Sequence, residues 1–217
     1  MDYKTDIPSF LSSLDAKESL AYMGLTAKIE NSFRDAYAFY LYEKYGSELI
    51  VSREHKGGGV SRVDLALLDT KNGAIQNIIE FKACYSFDLL RPKDMEYIEK
   101  IKGDFEKHTM KPYDKEYILL SVRVNGTPDE KYKYIDKYDI IKKNIKRPSS
   151  AEHKSIAAQN IEQWTKQITE IKLKGSGSES LGKAFGVDVY LDYFIFSPSS
   201  LDQVTCAPLS RHRSDNR

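Results

Sequence analysis

Cysteine is nearly missing from this chain: its 217 residues hold only Cys84 and Cys206, with no CxxC pair. That scarcity excludes a disulfide framework and a cysteine-built structural zinc site, and it fits a reducing compartment. A surplus of either charge is missing too, because 33 lysines and arginines face 32 aspartates and glutamates. No global field therefore drives the protein onto nucleic acid, and any such contact has to come from local patches. Long apolar runs are absent; the longest, such as Ala36 to Tyr42, fall far short of the roughly 20 residues of a membrane span. The opening stretch MDYKTDIPSFLSSLD does not join a basic start to an apolar core, so no secretory leader and no membrane partner are expected, and the expected location is cytoplasmic. Four histidines, at 55, 108, 153 and 212, form no ligand spacing, and no serine or cysteine is set up as a nucleophile. Gly57-Gly58-Gly59 lacks the GK[ST] ending of a P-loop, which leaves it a hairpin turn flanked by the candidate phosphate contacts Arg53, Lys56 and Arg62.

What is present reads as a single α/β domain with a mixed sheet over residues 1–197, followed by a polar tail, 198–217. A short helix is predicted over 12–22, with Ser12 and Asp15 at capping positions and Gly24 as its stop. A second helix is predicted over 26–46, with Ile29, Phe33, Tyr37 and Tyr40 or Leu41 at helical spacing. Three strands follow at 48–54, 63–69 and 74–87, then a helix from Pro92 to about His108 and a strand at 116–124. The core thus spans about 26–124. A helical addition over about 130–174 comprises helices at 134–146 and 149–174, the latter opened by a Ser149/Glu152 capping box. GSGSES, 175–180, reads as a flexible linker before a last strand at 187–196.

The segment Ile78-Ile79-Glu80-Phe81-Lys82-Ala83 reads as a buried strand, yet it carries two charges on one face. A three-residue loop Lys71-Asn72-Gly73 with glycine in the left-handed position would pair residues whose numbers sum to 144, which puts Asp64 opposite Glu80. Asp64, Glu80 and Lys82 would then sit together, with Leu65, Leu67, Ile79 and Phe81 on the other face. Two carboxylates about 5 Å apart in a partly desolvated place raise the pKa of one unless a cation sits between them, and a hard divalent ion answers that problem.

With Asp64, fifteen intervening residues and Glu80-Phe81-Lys82, set in the order helix, three strands, helix, strand, the sequence resembles the PD-(D/E)xK nuclease superfamily. The tripeptide pattern alone decides nothing, since (D/E)xK occurs eight times in the chain; the apolar strand and the mirror-position aspartate single out Glu80. Val63 stands where the motif's name has proline, and the helix after Lys82 lacks the Gln-x-x-Tyr pattern of RecB-like exonucleases. The resemblance implies a restriction-endonuclease-like αβββαβ core. It also implies that Asp64, Glu80 and the carbonyl of Phe81 ligate Mg2+, for which Mn2+ substitutes, and that Lys82 orients water or steadies the phosphorane. Glu30, early in the preceding helix, is the match to a further family glutamate; the plain alternative is a surface pair with Arg34. The implied activity is a magnesium-dependent nuclease with nucleic acid, DNA before RNA, as partner: an endonuclease of restriction, phage-defence or repair type. A catalytically inactive nucleic-acid-binding module, and a nuclease acting on RNA or branched DNA, stay open as readings.

Three further features carry two readings each. Asp104 and Lys107, on the helix after Lys82, read as a solvated pair before catalytic groups. The Tyr- and Lys-rich segment 131–154 reads as a phosphate and base platform or as a helix burying Tyr134, Tyr138, Ile141 and Ile145. Ala157, Ile161, Trp164, Ile168 and Ile171 read as a face packed on the sheet or as the seam of a homodimer.

Overall fold

A computed structural model describes residues 3–13, 17–57, 60–91, 96–107, 113–145 and 150–199. Six strands form one mixed sheet: β1 (Leu49–Gly57), β2 (Val60–Asp69), β3 (Ile75–Tyr85), β4 (Asp114–Asn125), β5 (Ile171–Ala184) and β6 (Val187–Pro198), in the order β1-β2-β3-β4-β6-β5. Only β3 and β4 run parallel; the other neighbours are antiparallel. Parallel neighbours need a crossover, and here it passes through a 3-10 turn at Ser86–Leu89 and helix α4 (Glu96–Glu106), once α1 (Tyr3–Ser13), α2 (Lys17–Thr26) and α3 (Glu30–Tyr45) have opened the chain. Helices α5 (Tyr138–Ile145) and α6 (Ser150–Gln167) come between β4 and β5. From α3 to β4 the order is helix, three strands, helix, strand.

Side-chain alternation divides the core in two. Leu65, Leu67, Ile79, Phe81, Ala83, Ile118 and Leu120 face α1, α2 and α3 through Ile7, Phe10, Leu25, Phe33 and Tyr37. On the other face Tyr117, Leu119, Phe194 and Phe196 pack beneath Ile98, Ile101 and Phe105 of α4 and Ala157, Ile161 and Trp164 of α6. Glu80 and Lys82 alternate with Phe81 and Ala83, so they project from β3 on this second side.

Several boundaries differ from the sequence expectation, each for a packing reason. Helix α1 occupies Tyr3–Ser13 in spite of Pro8, because Ile7, Phe10 and Leu11 become fully buried and outweigh the lost backbone bond. Gly24 does not stop a helix but lies inside α2, where an added Cβ would come within 3.3 Å of Val122 on the sheet. Thr26 ends α2, and the helix expected from residue 26 starts at Glu30. The helix expected to reach 174 ends at Gln167, and GSGSES is not a linker but the middle of edge strand β5. Gly177 pairs directly with Tyr193 of β6, whose ring covers the glycine and supplies the side-chain contact that the strand itself lacks.

Ile171 therefore belongs to β5, while Ala157, Ile161, Trp164 and Ile168 are buried within the chain, so that stripe is not a free dimer seam. In the Tyr- and Lys-rich segment, Tyr138 and Ile141 are buried, whereas Tyr134 precedes the helix and is 88% exposed. Asp15, Pro92, Ser149, Gly58, Gly59 and the tail from residue 200 lie outside the described residues. No described helix is long and apolar enough to cross a membrane.

Candidate active site

The hairpin of β2 and β3 pairs Leu65 with Ile79, Ala66 with Ile78 and Leu67 with Asn77, the predicted register in which residue numbers sum to 144. Its route to that register is different. The Asp69 N–H donates to the Ala74 carbonyl at 2.9 Å, which closes a four-residue loop, 70–73, with Gly73 at φ 67°. The expected three-residue loop is thus one residue too short, and a bulge, with Leu67 opposite Asn77 but Leu68 opposite Ile75, absorbs the difference.

Ladder pairing between the two strands ends at Leu65 and Ile79, and beyond that point two side chains take over the bonding of β3. The Phe81 N–H donates to Asp64 Oδ2 at 2.8 Å, and the Ala83 N–H donates to Glu30 Oε2 at 3.0 Å. Buried backbone donors are seldom left unmet, so the parting of β2 from β3 fixes both carboxylates in place. Glu30 is the first residue of α3, where a negative charge also suits the positive end of the helix dipole.

The gap forms an open cleft of about 420 Å³, lined by Glu30, Asp64, Glu80, Lys82 and Asp104, with the more exposed Arg62 and Lys107 beside them. Four of the five residues proposed from the sequence, Glu30, Asp64, Glu80 and Lys82, thus meet around one space, while the fifth, Phe81, does not line it. Burial, followed by the charge of Asp64 and a hydrogen bond to it, pushes the Glu80 carboxyl up to about 8, while Lys82 pulls the other way. Burial likewise raises the Glu30 carboxyl. For Lys82 burial opposes the charge, but the hydrogen bond and charge of Asp104, with Glu80 and Glu30, more than offset it and hold the amine as an ammonium.

Two residues of this site were not assigned to it from the sequence. Arg34 does not pair with Glu30; its guanidinium reaches Asp35 at 2.9 Å, Glu54 at 3.2 Å and Asp64 Oδ1 at 3.4 Å. Glu54 holds a left-handed backbone, φ 46°, on β1 where it meets Arg34. Asp104 does pair with Lys107, yet it is not a solvated surface pair: its side chain is 15% exposed, and its other oxygen binds Lys82 Nζ at 2.7 Å. Its only trace in the sequence is its place beside Phe105, at the edge of the buried stripe Ile98, Ile101 and Phe105. Arg53, expected at phosphate, pairs with Asp35 at 3.0 Å.

Among the described residues, no three His, Cys, Asp or Glu side chains are gathered into a ready metal cage. The candidate oxygen donors are tied to protein groups: Asp64 to the Phe81 N–H and Arg34, and the Phe81 carbonyl to Lys82 Nζ at 3.1 Å. The set still suits a hard cation, because it consists of oxygen donors alone and a partly buried carboxylate pair that one negative charge already overfills. No family model, no curated protein and no solved structure matches the chain.

Proposed function

We propose that the protein is a divalent-metal-dependent nuclease with a restriction-endonuclease-like core, hydrolysing phosphodiester bonds, with DNA as first candidate substrate. The observation that carries this reading is the convergence of Asp64, Glu80 and Lys82 on one open cleft at the point where β2 and β3 part. Magnesium, or manganese in its place, would be held by the carboxylates of Asp64 and Glu80 with the Phe81 carbonyl. Bound there, it would polarise the scissile phosphate and lower the pKa of an attacking water.

The chain's own groups divide the remaining work. Lys82, kept as an ammonium by Asp104, is suited to steady negative charge on the phosphoryl oxygens and unsuited to act as a base. The Phe81 carbonyl now accepts from Lys82 Nζ, a bond that a cation held there would compete for, leaving the ammonium to Asp104 and the substrate phosphate. Glu30 adds a further carboxylate at the Ala83 N–H, within reach of water in the cleft. Exposed Arg62 and Lys107 supply cations that can meet the phosphates flanking the scissile bond.

The test is incubation of the purified full chain with supercoiled, linear, single-stranded and branched DNA and with RNA, in magnesium, manganese or chelator. Metal-dependent cleavage of at least one substrate is expected, with Lys82→Ala slower by about 10² to 10³-fold. Metal-dependent retention of nucleic acid without cleavage would instead assign an inactive binding module. Cleavage that survives chelator, or full activity in Lys82→Ala, would sink the proposal.

A further inference from the structure

Resting on that functional reading, we infer that Asp104 is the positioning residue of the site: it fixes the Lys82 ammonium over the cleft from a helix that the hydrophobic core holds in place. A lysine leaving a strand has four freely rotating carbons, and its ammonium has no preferred place unless something receives it. Among the described residues Lys82 Nζ has two hydrogen-bonding partners, the Phe81 carbonyl at 3.1 Å and Asp104 Oδ2 at 2.7 Å. The first is the carbonyl that would turn to a cation, so the contact that remains when the site is loaded is the one to Asp104.

Asp104 is itself well placed to hold that contact. Its neighbour Phe105 is 2% exposed and packs edge-on against Tyr117, ring centroids 6.1 Å apart, which fixes the rotation of α4 about its axis. Tyr117 stands beside Glu80 in the parallel β3–β4 register, so the same contact sets the distance from helix to site. The second carboxylate oxygen, Oδ1, receives Lys107 Nζ at 2.5 Å from one turn further along α4. Both oxygens are thereby engaged, the carboxylate cannot rotate away, and its charge is shared between two ammonium groups that border one cleft. A carboxylate present only to secure α4 to the sheet would have no need to reach Lys82, which projects beside Glu80 into the cleft.

The positioning role separates from a structural one by which kinetic constant moves. In Asp104→Asn the side-chain shape stays while the charge that holds Lys82 is removed. On the substrate that the wild type cleaves, kcat is expected to fall by about 10 to 100-fold with KM within about three-fold, the size expected for misplacing a catalytic group by roughly an ångström. Asp104→Glu, which restores the charge on a longer arm, is expected to recover part of the loss. Thermal unfolding of each variant shows whether the loss follows folding instead.

A second measurement needs no activity. Acetylation of Lys82 by acetic anhydride, followed by peptide mass spectrometry, is expected to be several-fold faster in Asp104→Asn than in wild type, because the amine leaves its ion pair. If the wild type cleaves nothing, the nuclease reading fails and the acetylation rate alone decides whether Asp104 anchors Lys82. An unchanged acetylation rate, or a kcat in Asp104→Asn within two-fold of wild type, overturns the inference.

Discussion

Glu80 is the residue at which stability and the proposed function pull apart. The residue is 8% exposed, and its carboxyl is pushed up to about 8 from an ordinary 4.5 by burial and by Asp64 beside it. A raised folded-state pKa means that the native protein holds the proton more tightly than the unfolded chain does. Metal-free protein therefore loses stability as pH rises from about 4.5 towards 8. In chelator at pH 8, Glu80→Gln is expected to be more stable than wild type by about 1–2 kcal/mol in urea titration, a gain that disappears near pH 4.5, and to lose cleavage. A destabilised Glu80→Gln at pH 8 would contradict the electrostatic account.

Glu116 behaves differently, because burial raises its carboxyl while Lys174 Nζ, 2.5 Å away, opposes the rise. Removing that partner in Lys174→Met widens the pH interval over which the buried carboxylate costs stability. The variant should lose about 1–3 kcal/mol at pH 8 and clearly less at pH 5; equal losses at both would sink the idea. Of the site itself, Asp64, Glu80 and Lys82 were legible because their shared face follows from strand alternation. Asp104 and Arg34 were not, because nothing local says which way a helix turns its charged side chains towards a distant sheet.

Among the elements, edge strand β5 departs most from its own residues. Its glycines and serines have the composition of a linker, yet twelve of its fourteen residues pair along β6, which is largely apolar and mostly buried. The partner strand, with Tyr193 laid over Gly177, makes this segment a strand. An added Cβ at Gly177 would lie 2.1 Å from the Tyr193 hydroxyl, so Gly177→Ala has to displace the ring and should cost about 1–3 kcal/mol. Tyr193→Ala should relieve most of that added cost, read as non-additive Tm shifts in the double variant. The hairpin before the site shows the opposite balance. Asn72-Gly73 marked the turn correctly, and an error of one residue in the loop was cancelled by the bulge near Gln76, so Asp64 still reached the face of Glu80.

Across the whole molecule, the sheet joins a broad apolar core under α1, α2 and α3 to a second core under α4 and α6, and the cleft opens where one strand pair stops pairing. A cation that binds only the folded cleft must stabilise the entire fold, by about 2.7 kcal/mol at a hundred times its Kd. At pH 8, magnesium or manganese is therefore expected to raise the Tm of wild type and to leave Glu80→Gln and Asp64→Asn nearly unchanged in differential scanning fluorimetry. Equal shifts in all three proteins would place the ion elsewhere.

Local chemistry was enough to locate the central strands, the turn at Asn72-Gly73 and the shared face of Asp64, Glu80 and Lys82, because alternation and turn preference act over a few neighbouring residues. Packing between distant segments decided the rest. It kept Pro8 within a helix, made a strand of GSGSES, parted β2 from β3 so that Glu30 and Asp64 could bind the freed N–H groups, and set Asp104 on Lys82. Each of those outcomes depends on what a partner element presents across the core, and no stretch of sequence carries that information alone.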